Sequence, residues 1–251
     1  TNLYRALQLL GRAALGELRE ALITEGGMPS ALWAGPRDRS RPVRITLGVR
    51  LDDLCWELEC GMGPPDDPFP LDPRVKRETV WHVDVRGRKT RFAERAQGQT
   101  RIRNDAGRLV DYPSNFDEAE SMLSHVLHPA SYPELSEFVH FARRSRFYEL
   151  LPAHPSAPAR SPCTVTRSYE LRDDGANFAT VWKTLGWEAL QQTVAEAFPG
   201  WDTEPVDHGE SRVGILFRSP HLERPLTLKE ISDGMLRYLM LAAALYCPKE
   251  A

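Results

Sequence analysis

Common metal-binding patterns are missing from this sequence. Its four cysteines form no CxxC pair, and its seven histidines form no HExxH spacing. These absences exclude the usual zinc-finger and zinc-protease patterns. In a chain of 251 residues, cysteines scattered in this way are typical of reduced thiols and do not indicate a disulfide framework.

Long apolar runs and a strong excess of one charge are missing as well. No apolar run reaches the roughly 18 residues that span a bilayer, and the first residues lack the basic region and apolar core of a secretory signal. We therefore expect a cytoplasmic protein without a membrane partner. A formal net charge of −3 indicates no overall attraction to nucleic acid. The hydrophobic share of 41% is ordinary for a folded protein of one large or two small domains.

The pattern of apolar residues predicts a mixed α/β protein. Apolar residues recur at helical spacing from Leu3 to Ala21, which predicts one long helix within residues 1–25. Short alternating runs over residues 40–112 predict an antiparallel β lobe packed beside that helix, with a mobile proline-rich loop at 61–73. Helical spacing over 116–200 predicts a helical lobe with a proline-rich linker at 151–163, and a hairpin and a last helix are predicted within 203–251.

The last helix begins with polar residues and a glycine that could bind an anion. Ser232, Asp233 and Gly234 precede the apolar run "MLRYLMLAAAL". A hydroxyl and a glycine amide at a helix N-terminus form a small anion site, although an ordinary N-cap on a core helix is the competing interpretation. We predict that the helix from Leu236 to Leu245 is buried almost all round, because apolar residues surround it almost fully.

Both edges of the sequence resemble one protein family. The chain has "TNLYRAL" at 1–7 and "ISDGMLRYL" at 231–239, similar to "GKTNLYRAL" and "LSDGTLRYL" in ATPases of the RecF/SMC-like branch of the ABC-type P-loop ATPases. It departs from the second motif at Ile231 and Met235. Four further stretches resemble family blocks in the family's order: "EGGMPSALWAGP" (25–36), "ESMLSHVLHPASYPEL" (120–135), "RFYELLP" (146–152) and "DDGANFATVW" (173–182).

The resemblance implies a P-loop NTPase fold, namely an ABC-type ATPase head of the AAA family with an antiparallel β lobe and a helical lobe, incomplete at both ends. It places the phosphate-loop glycines and lysine before Thr1, and the Walker B strand with its catalytic acid after Ala251. The 251 residues are then expected to be a single head fragment that does not turn over ATP alone. The full-length protein is expected to be an ATPase.

The resemblance also implies roles for individual residues. Thr1 corresponds to the phosphate-loop hydroxyl that binds Mg²⁺, with Asn2 beside it. Ser232 and Gly234 correspond to residues that contact the γ-phosphate of ATP held by a second head. Because that ligand belongs to another subunit, both residues are expected to be exposed. Asp233 is expected to face away and cap the helix, its charge offset by Arg237. His125 stands where relatives have a glutamine that binds magnesium and positions water, and an exposed helix residue is the alternative for it.

ATP and Mg²⁺ are therefore the expected cofactors, and a second head, bound as an ATP-dependent homodimer, is the expected partner. DNA is a further candidate partner, for which Arg143, Arg144 and Arg146 beside two aromatic rings are the candidate contacts. A solvated helix face is the alternative reading of these arginines. A non-catalytic interaction module that keeps the ATPase fold is the alternative function. A carboxylate-based hydrolase has little support, because no pair of acids forms a recognisable constellation.

Overall fold

The computed structural model of this chain describes residues 2–36, 42–64, 66–113, 116–125, 131–148 and 150–248. The chain forms two compact units, Thr1–Ser145 and Arg146–Ala251, which we call unit 1 and unit 2. Across the described residues the protein is mixed α/β, with a six-stranded antiparallel sheet and seven α-helices. The predicted mixed α/β class is confirmed. None of the helices in those ranges is both long and apolar enough to cross a membrane.

Unit 1 combines three N-terminal helices, a meander of strands and one further helix. Its helices are α1 (Asn2–Ala14), α2 (Leu18–Thr24), α3 (Met28–Ala31) and α4 (Pro133–Arg144), and a 3₁₀ helix spans Met122–His125. Its strands are β1 (Ile45–Leu51), β2 (Leu54–Met62), β3 (Pro73–Val83), β4 (Lys89–Ala96), β5 (Gln99–Arg103) and β6 (Leu109–Asp111).

The six strands pair antiparallel in chain order, β1 to β6. Trp56 pairs with Val80 between β2 and β3, and Val80 pairs with Ala93 between β3 and β4. All three are buried in one apolar cluster with Leu10 of α1 and Phe138 of α4. One face of the sheet therefore packs against helices, which confirms the predicted β lobe beside the first helix.

The predicted single N-terminal helix is wrong, because the chain breaks it at Gly16. Helix α1 ends at Ala14, α2 begins at Leu18, and Gly16 between them has φ +86°. Glycine adopts this left-handed conformation readily, and its amide donates to the Ala13 carbonyl at 3.1 Å. Both helices still bury apolar residues in the same cluster. The apolar residues therefore keep their helical spacing within each helix, although the chain changes direction between the two.

The proline-rich loop between β2 and β3 is anchored by polar contacts. The Asp67 carboxylate accepts from the Phe69 amide at 2.8 Å and from the guanidinium of Arg74, which also pairs with Glu118. These contacts connect the loop to β3 and to the segment before the 3₁₀ helix. The predicted mobility of this loop remains a prediction.

Unit 2 is built around a small sheet and three helices. It comprises a 3₁₀ helix (Pro158–Arg160), β7 (Cys163–Thr164), α5 (Phe178–Leu185), α6 (Trp187–Ala197), β8 (Asp202–Asp207), β9 (Arg212–Arg218), β10 (Leu226–Thr227) and α7 (Asp233–Tyr246). Strands β8 and β9 form the predicted antiparallel hairpin, and β7 and β10 pair with opposite ends of β9.

The predicted linker at 151–163 is wrong, because this segment belongs to the core of unit 2. Its buried residues are Leu151, Ala153, Ala157, Ala159 and Arg160. The boundary between the units falls after Ser145, whose extended backbone (φ −76°, ψ 132°) follows the end of α4. The predicted helical lobe 116–200 is thus divided between two units, and residues 145–148 do not continue α4.

Candidate functional site

Helix α7 begins at an exposed N-cap. Ser232 has an extended backbone (φ −64°, ψ 153°), and its Oγ accepts a hydrogen bond from the Met235 amide at 3.2 Å. The amides of Asp233 and Gly234 lie in the first turn, where a helix has no carbonyl to pair with them. Ser232, Asp233 and Gly234 are all exposed. The predicted exposure of Ser232 and Gly234 is confirmed, and the positive end of a 14-residue helix faces solvent there.

Gly234 is a glycine that unit 2 does not need for its own fold. A Cβ atom built on it meets no described atom within 4 Å apart from its chain neighbours and the backbone of its own helix, and its backbone is helical. Glycine in a helix costs up to about 1 kcal/mol relative to alanine. Neither a tight contact nor a left-handed conformation within this chain accounts for it.

Buried Arg160 holds the turn before α7 in place. Its guanidinium is 3% exposed and donates to the carbonyls of Ala153 (2.9 and 2.8 Å), Leu228 (2.6 Å) and Ile231 (2.8 Å), and to Asp233 Oδ1 (2.6 Å). These five bonds use all five N–H groups of the side chain. The start of α7 is therefore fixed by one residue 73 positions earlier in the chain.

Two expectations about Asp233 are wrong. Ser232, and not Asp233, caps the helix. The partner of the Asp233 carboxylate is Arg160, whereas Arg237 donates its Nε to the Leu151 carbonyl at 3.4 Å. The pairing with Arg160 offsets the negative charge of Asp233 at the start of α7.

The body of α7 is buried on one face only, so the predicted burial of Leu236–Leu245 all round is wrong. Met235, Leu236, Leu239, Met240 and Ala243 lie in the core of unit 2. The other side exposes Tyr238, Leu241, Leu245 and Tyr246, to 44%, 50%, 86% and 50%. A helix against a single core covers only the residues that recur every three or four positions.

His125 is held by neighbours within unit 1. It ends the 3₁₀ helix, its Nε2 lies 2.6 Å from Glu120 Oε2, and its ring stacks on Phe116 with centroids 4.4 Å apart. Asn2 is the exposed first residue of α1, and Thr1 lies outside the described residues. The structure thus explains His125 by contacts in its own unit, and the nucleotide role expected for it stays a prediction.

The sequence analysis did not predict a buried acid that contacts the start of the 3₁₀ helix. Glu78 on β3 is fully buried and accepts hydrogen bonds from Trp56 Nε1 (2.9 Å), Ser121 Oγ (2.5 Å) and the Met122 amide (2.8 Å). Removal from water raises the pKa of this carboxyl, and the three hydrogen bonds only partly offset the effect. Alternation along β3 places residue 78 on the core face, and this was the available signal for its burial.

Buried Arg95 holds the same segment from the neighbouring strand. It donates to the carbonyls of Glu120 (2.5 Å) and Asp117 (3.1 Å). Its desolvation lowers the pKa of its guanidinium, which remains charged at neutral pH. Together Glu78 and Arg95 hold residues 117–122 against the sheet.

The candidate nucleic-acid arginines are exposed and belong to different units. Arg143 and Arg144 are exposed in the last turn of α4 in unit 1, whereas Arg146 belongs to unit 2 and pairs with Glu170. Tyr148 donates its hydroxyl to the Leu171 carbonyl at 2.9 Å, so this ring is used in packing. A role for these arginines in binding DNA stays a prediction.

Within the described ranges, no group of three or more His, Cys, Asp or Glu side chains is arranged to hold a metal ion. The expected magnesium contact, Thr1, lies outside those ranges. No protein-family model, curated protein or solved structure matches this chain.

Proposed function

We propose that this chain is part of an ATP-binding and ATP-hydrolysing switch of the RecF/SMC type. In this proposal Ser232 and Gly234 contact the γ-phosphate of ATP held by a second head, so that ATP joins two heads and hydrolysis releases them. Thr1 and Asn2 belong to the phosphate loop of the chain's own nucleotide, with Mg²⁺ bound at Thr1.

Gly234 is the observation that carries the proposal. It is exposed in the first turn of α7, beside a serine cap, with open space where a Cβ would lie. A phosphate can approach backbone amides closely only where no side chain intervenes. The positive end of the helix dipole and the free amides supply the attraction.

The Arg160 network supports the same function. A site that acts on a phosphate of another subunit needs its donors held in place before that subunit arrives. Arg160 provides this by joining the carbonyls of Leu228 and Ile231 to the carboxylate of Asp233. The same contact offsets the one negative charge in the exposed turn.

The exposed apolar residues of α7 favour the second candidate, a non-catalytic interaction module. Tyr238, Leu241 and Leu245 are spaced three and four residues apart and lie at least 44% exposed, as in a helix that binds a partner. This alternative needs no phosphate at Ser232. The two functions therefore differ in what a substitution at the start of α7 does.

Variants of Ser232 test the proposed function. The protein to be tested contains residues 1–251 together with the phosphate loop and the Walker B strand that the proposal expects. Ser232→Asp keeps an N-cap but sets a negative charge against the phosphate, so we expect ATP-dependent dimerisation to weaken about 100-fold or more. Ser232→Thr keeps both the cap and the hydroxyl and should dimerise within about threefold of the parent. Size-exclusion chromatography with light scattering, in a non-hydrolysable ATP analogue, measures both.

Equal dimerisation of the aspartate and threonine variants would show that Ser232 does not contact a phosphate. Loss of dimerisation in both variants, with unchanged thermal unfolding, would equally contradict the proposal, since threonine preserves the chemistry.

Gly234→Ala separates ligand approach from folding. Nothing within 4 Å opposes the added methyl group, so we expect the free energy of unfolding of the 251-residue chain to stay the same or rise by up to about 1 kcal/mol. In the dimerisation assay the same methyl group should weaken ATP-dependent association at least about tenfold. Gly48→Ala, on exposed strand β1 with the Trp56 carbonyl at 3.5 Å, adds a methyl group elsewhere and should leave association unchanged. Undiminished association of the Gly234 variant would contradict the proposed close approach.

A further inference from the structure

The outer face of the unit 1 sheet carries a group of charged and polar side chains around one tryptophan. On β3, Glu78 and Val80 point into the core, so Arg77, Thr79 and Trp81 lie on the opposite face. Glu57 pairs with Thr79 from β2, and Arg91 pairs with Trp81 from β4. The register of β3 against β4 shifts between Val80 and Trp81. Such β-bulges change the direction in which nearby side chains point.

These residues surround a cavity of about 240 Å³. Its lining consists of Glu57, Arg77, Thr79, Trp81, Lys89 and Arg91. Three cations and one carboxylate therefore face a single small space. The volume is below the ~300–1,000 Å³ of sites for drug-sized ligands, which favours a small anion over a large ligand.

Two of the three cations form no ion pair with any residue that the structure describes. Arg91 pairs with Glu94. Arg77 has no ion-pair partner among the residues that the structure describes, and Lys89 lies over the Trp81 ring, its Nζ 5.0 Å from the ring centroid. Glu57 likewise has no cation partner in the described part of the chain. Cations and a carboxylate that stay unpaired around one cavity are available to a ligand.

Trp81 has an unused hydrogen-bond donor. Its Nε1 is buried and lacks a partner within the described residues. Buried polar groups are nearly always paired, so an unpaired donor beside a cavity requires an explanation. The side chain of Lys89 is exposed and its Nζ lies over the face of the same ring, so a cation and the indole border one cavity.

We propose that this cavity binds a small phosphate monoester with free hydroxyl groups, of the sugar-phosphate class. Arg77 and Lys89 neutralise the phosphate, and the Trp81 N–H donates to one of its oxygens. Glu57 accepts a hydrogen bond from a hydroxyl of the sugar, which explains an acid in an otherwise cationic cavity. The site lies within unit 1 and is independent of the proposed contact at α7.

Calorimetric titration of the 251-residue chain tests the site. Ribose 5-phosphate is expected to bind more tightly than inorganic phosphate, and ribose is expected not to bind, because it lacks the charge. Trp81→Phe keeps an aromatic ring at this position but replaces the indole by a smaller phenyl group, and so removes the N–H, which has no partner in the described chain. It should weaken binding of ribose 5-phosphate at least about tenfold, and thermal unfolding of the variant measures what the lost part of the ring costs in stability. Trp33→Phe makes the same change at an exposed tryptophan outside the cavity and should bind as the parent does.

Three results would overturn the proposal. The first is no binding of ribose 5-phosphate at millimolar concentration, and the second is equal binding by the Trp81 and Trp33 variants. The third is tight binding of a 12-nucleotide oligothymidylate without any binding of ribose 5-phosphate, which would assign this face to a nucleic-acid strand. Arg77→Gln provides a check on charge, since it should weaken ribose 5-phosphate binding and reduce the salt dependence of that binding.

Discussion

Replacing Arg160 with alanine is expected to lower the free energy of unfolding of unit 2 by about 3–5 kcal/mol. The substitution leaves the carbonyls of Ala153, Leu228 and Ile231 without their donor, and a buried acceptor without a partner costs its full desolvation penalty. Arg160→Lys should recover only part of the loss, because a point-like ammonium lacks the five-donor fork. Urea unfolding measures the change, and hydrogen exchange of peptides from unit 2 locates it.

Arg218→Ala is the matched control for this prediction. Arg218 lies in the same unit and forms an exposed pair with Glu204 at 2.5 Å, so its loss should lower the free energy of unfolding far less than the loss of Arg160. If the Arg160 and Arg218 variants lose the same stability, the proposed role of Arg160 is wrong. If the prediction holds, exchange should rise most at Leu228–Asp233, which would show that Arg160 fixes the start of α7.

The second large effect is expected at Glu78. Glu78→Ala removes the acceptor of three buried donors, on Trp56, Ser121 and Met122, and should lower the free energy of unfolding by about 3–5 kcal/mol. Glu59→Ala on β2 removes a surface pair with Arg44 and should cost at most about 1 kcal/mol. Chemical unfolding of both variants, with hydrogen exchange over residues 117–125, compares them. Similar losses in the two variants would contradict a special role for Glu78.

The burial of Glu78 also predicts how stability depends on pH. Desolvation raises the pKa of this carboxyl in the folded state above its unfolded value of about 4.3. A raised folded pKa means that the folded state holds the proton more tightly, so the contribution of Glu78 is complete below the unfolded pKa and decreases as the pH rises through the folded pKa. Glu78→Gln does not titrate. The parent's free energy of unfolding minus that of Glu78→Gln should therefore fall as the pH is raised from about 4.

Urea titrations of the parent and the Glu78→Gln variant at several pH values test this sign. A difference that grows with pH would mean that the three hydrogen bonds, together with Arg95, outweigh desolvation.

Local patterns in the sequence were sufficient for much of the fold. Alternation in stretches such as "VRITLGVRL" and "TVWHVDVRG" marked strands that the structure places in β1 and β3, and the hairpin β8–β9 followed the same rule. The long apolar run after Gly234 marked the last helix in the same way. Each of these features depends on neighbouring residues only, through side-chain direction in a strand or a helix.

Local patterns failed where an element depends on what it packs against. Helical spacing ran through Gly16, although the chain turns there to place α1 and α2 on one cluster. The prolines of 151–163 suggested a linker, yet this segment is buried in unit 2. The apolar residues of α7 could not indicate which of its faces meets the core.

The composition and periodicity of the sequence determined by themselves that this is a mixed α/β protein with an antiparallel lobe. Only the tertiary structure decided which polar residues are buried. Arg160 reaches Leu228 and Asp233 across 68 and 73 residues, and Glu78 reaches Ser121 across 43. No local pattern encodes such partners, because the free energy that makes a buried charge tolerable comes from donors and acceptors that meet it only after the chain has folded.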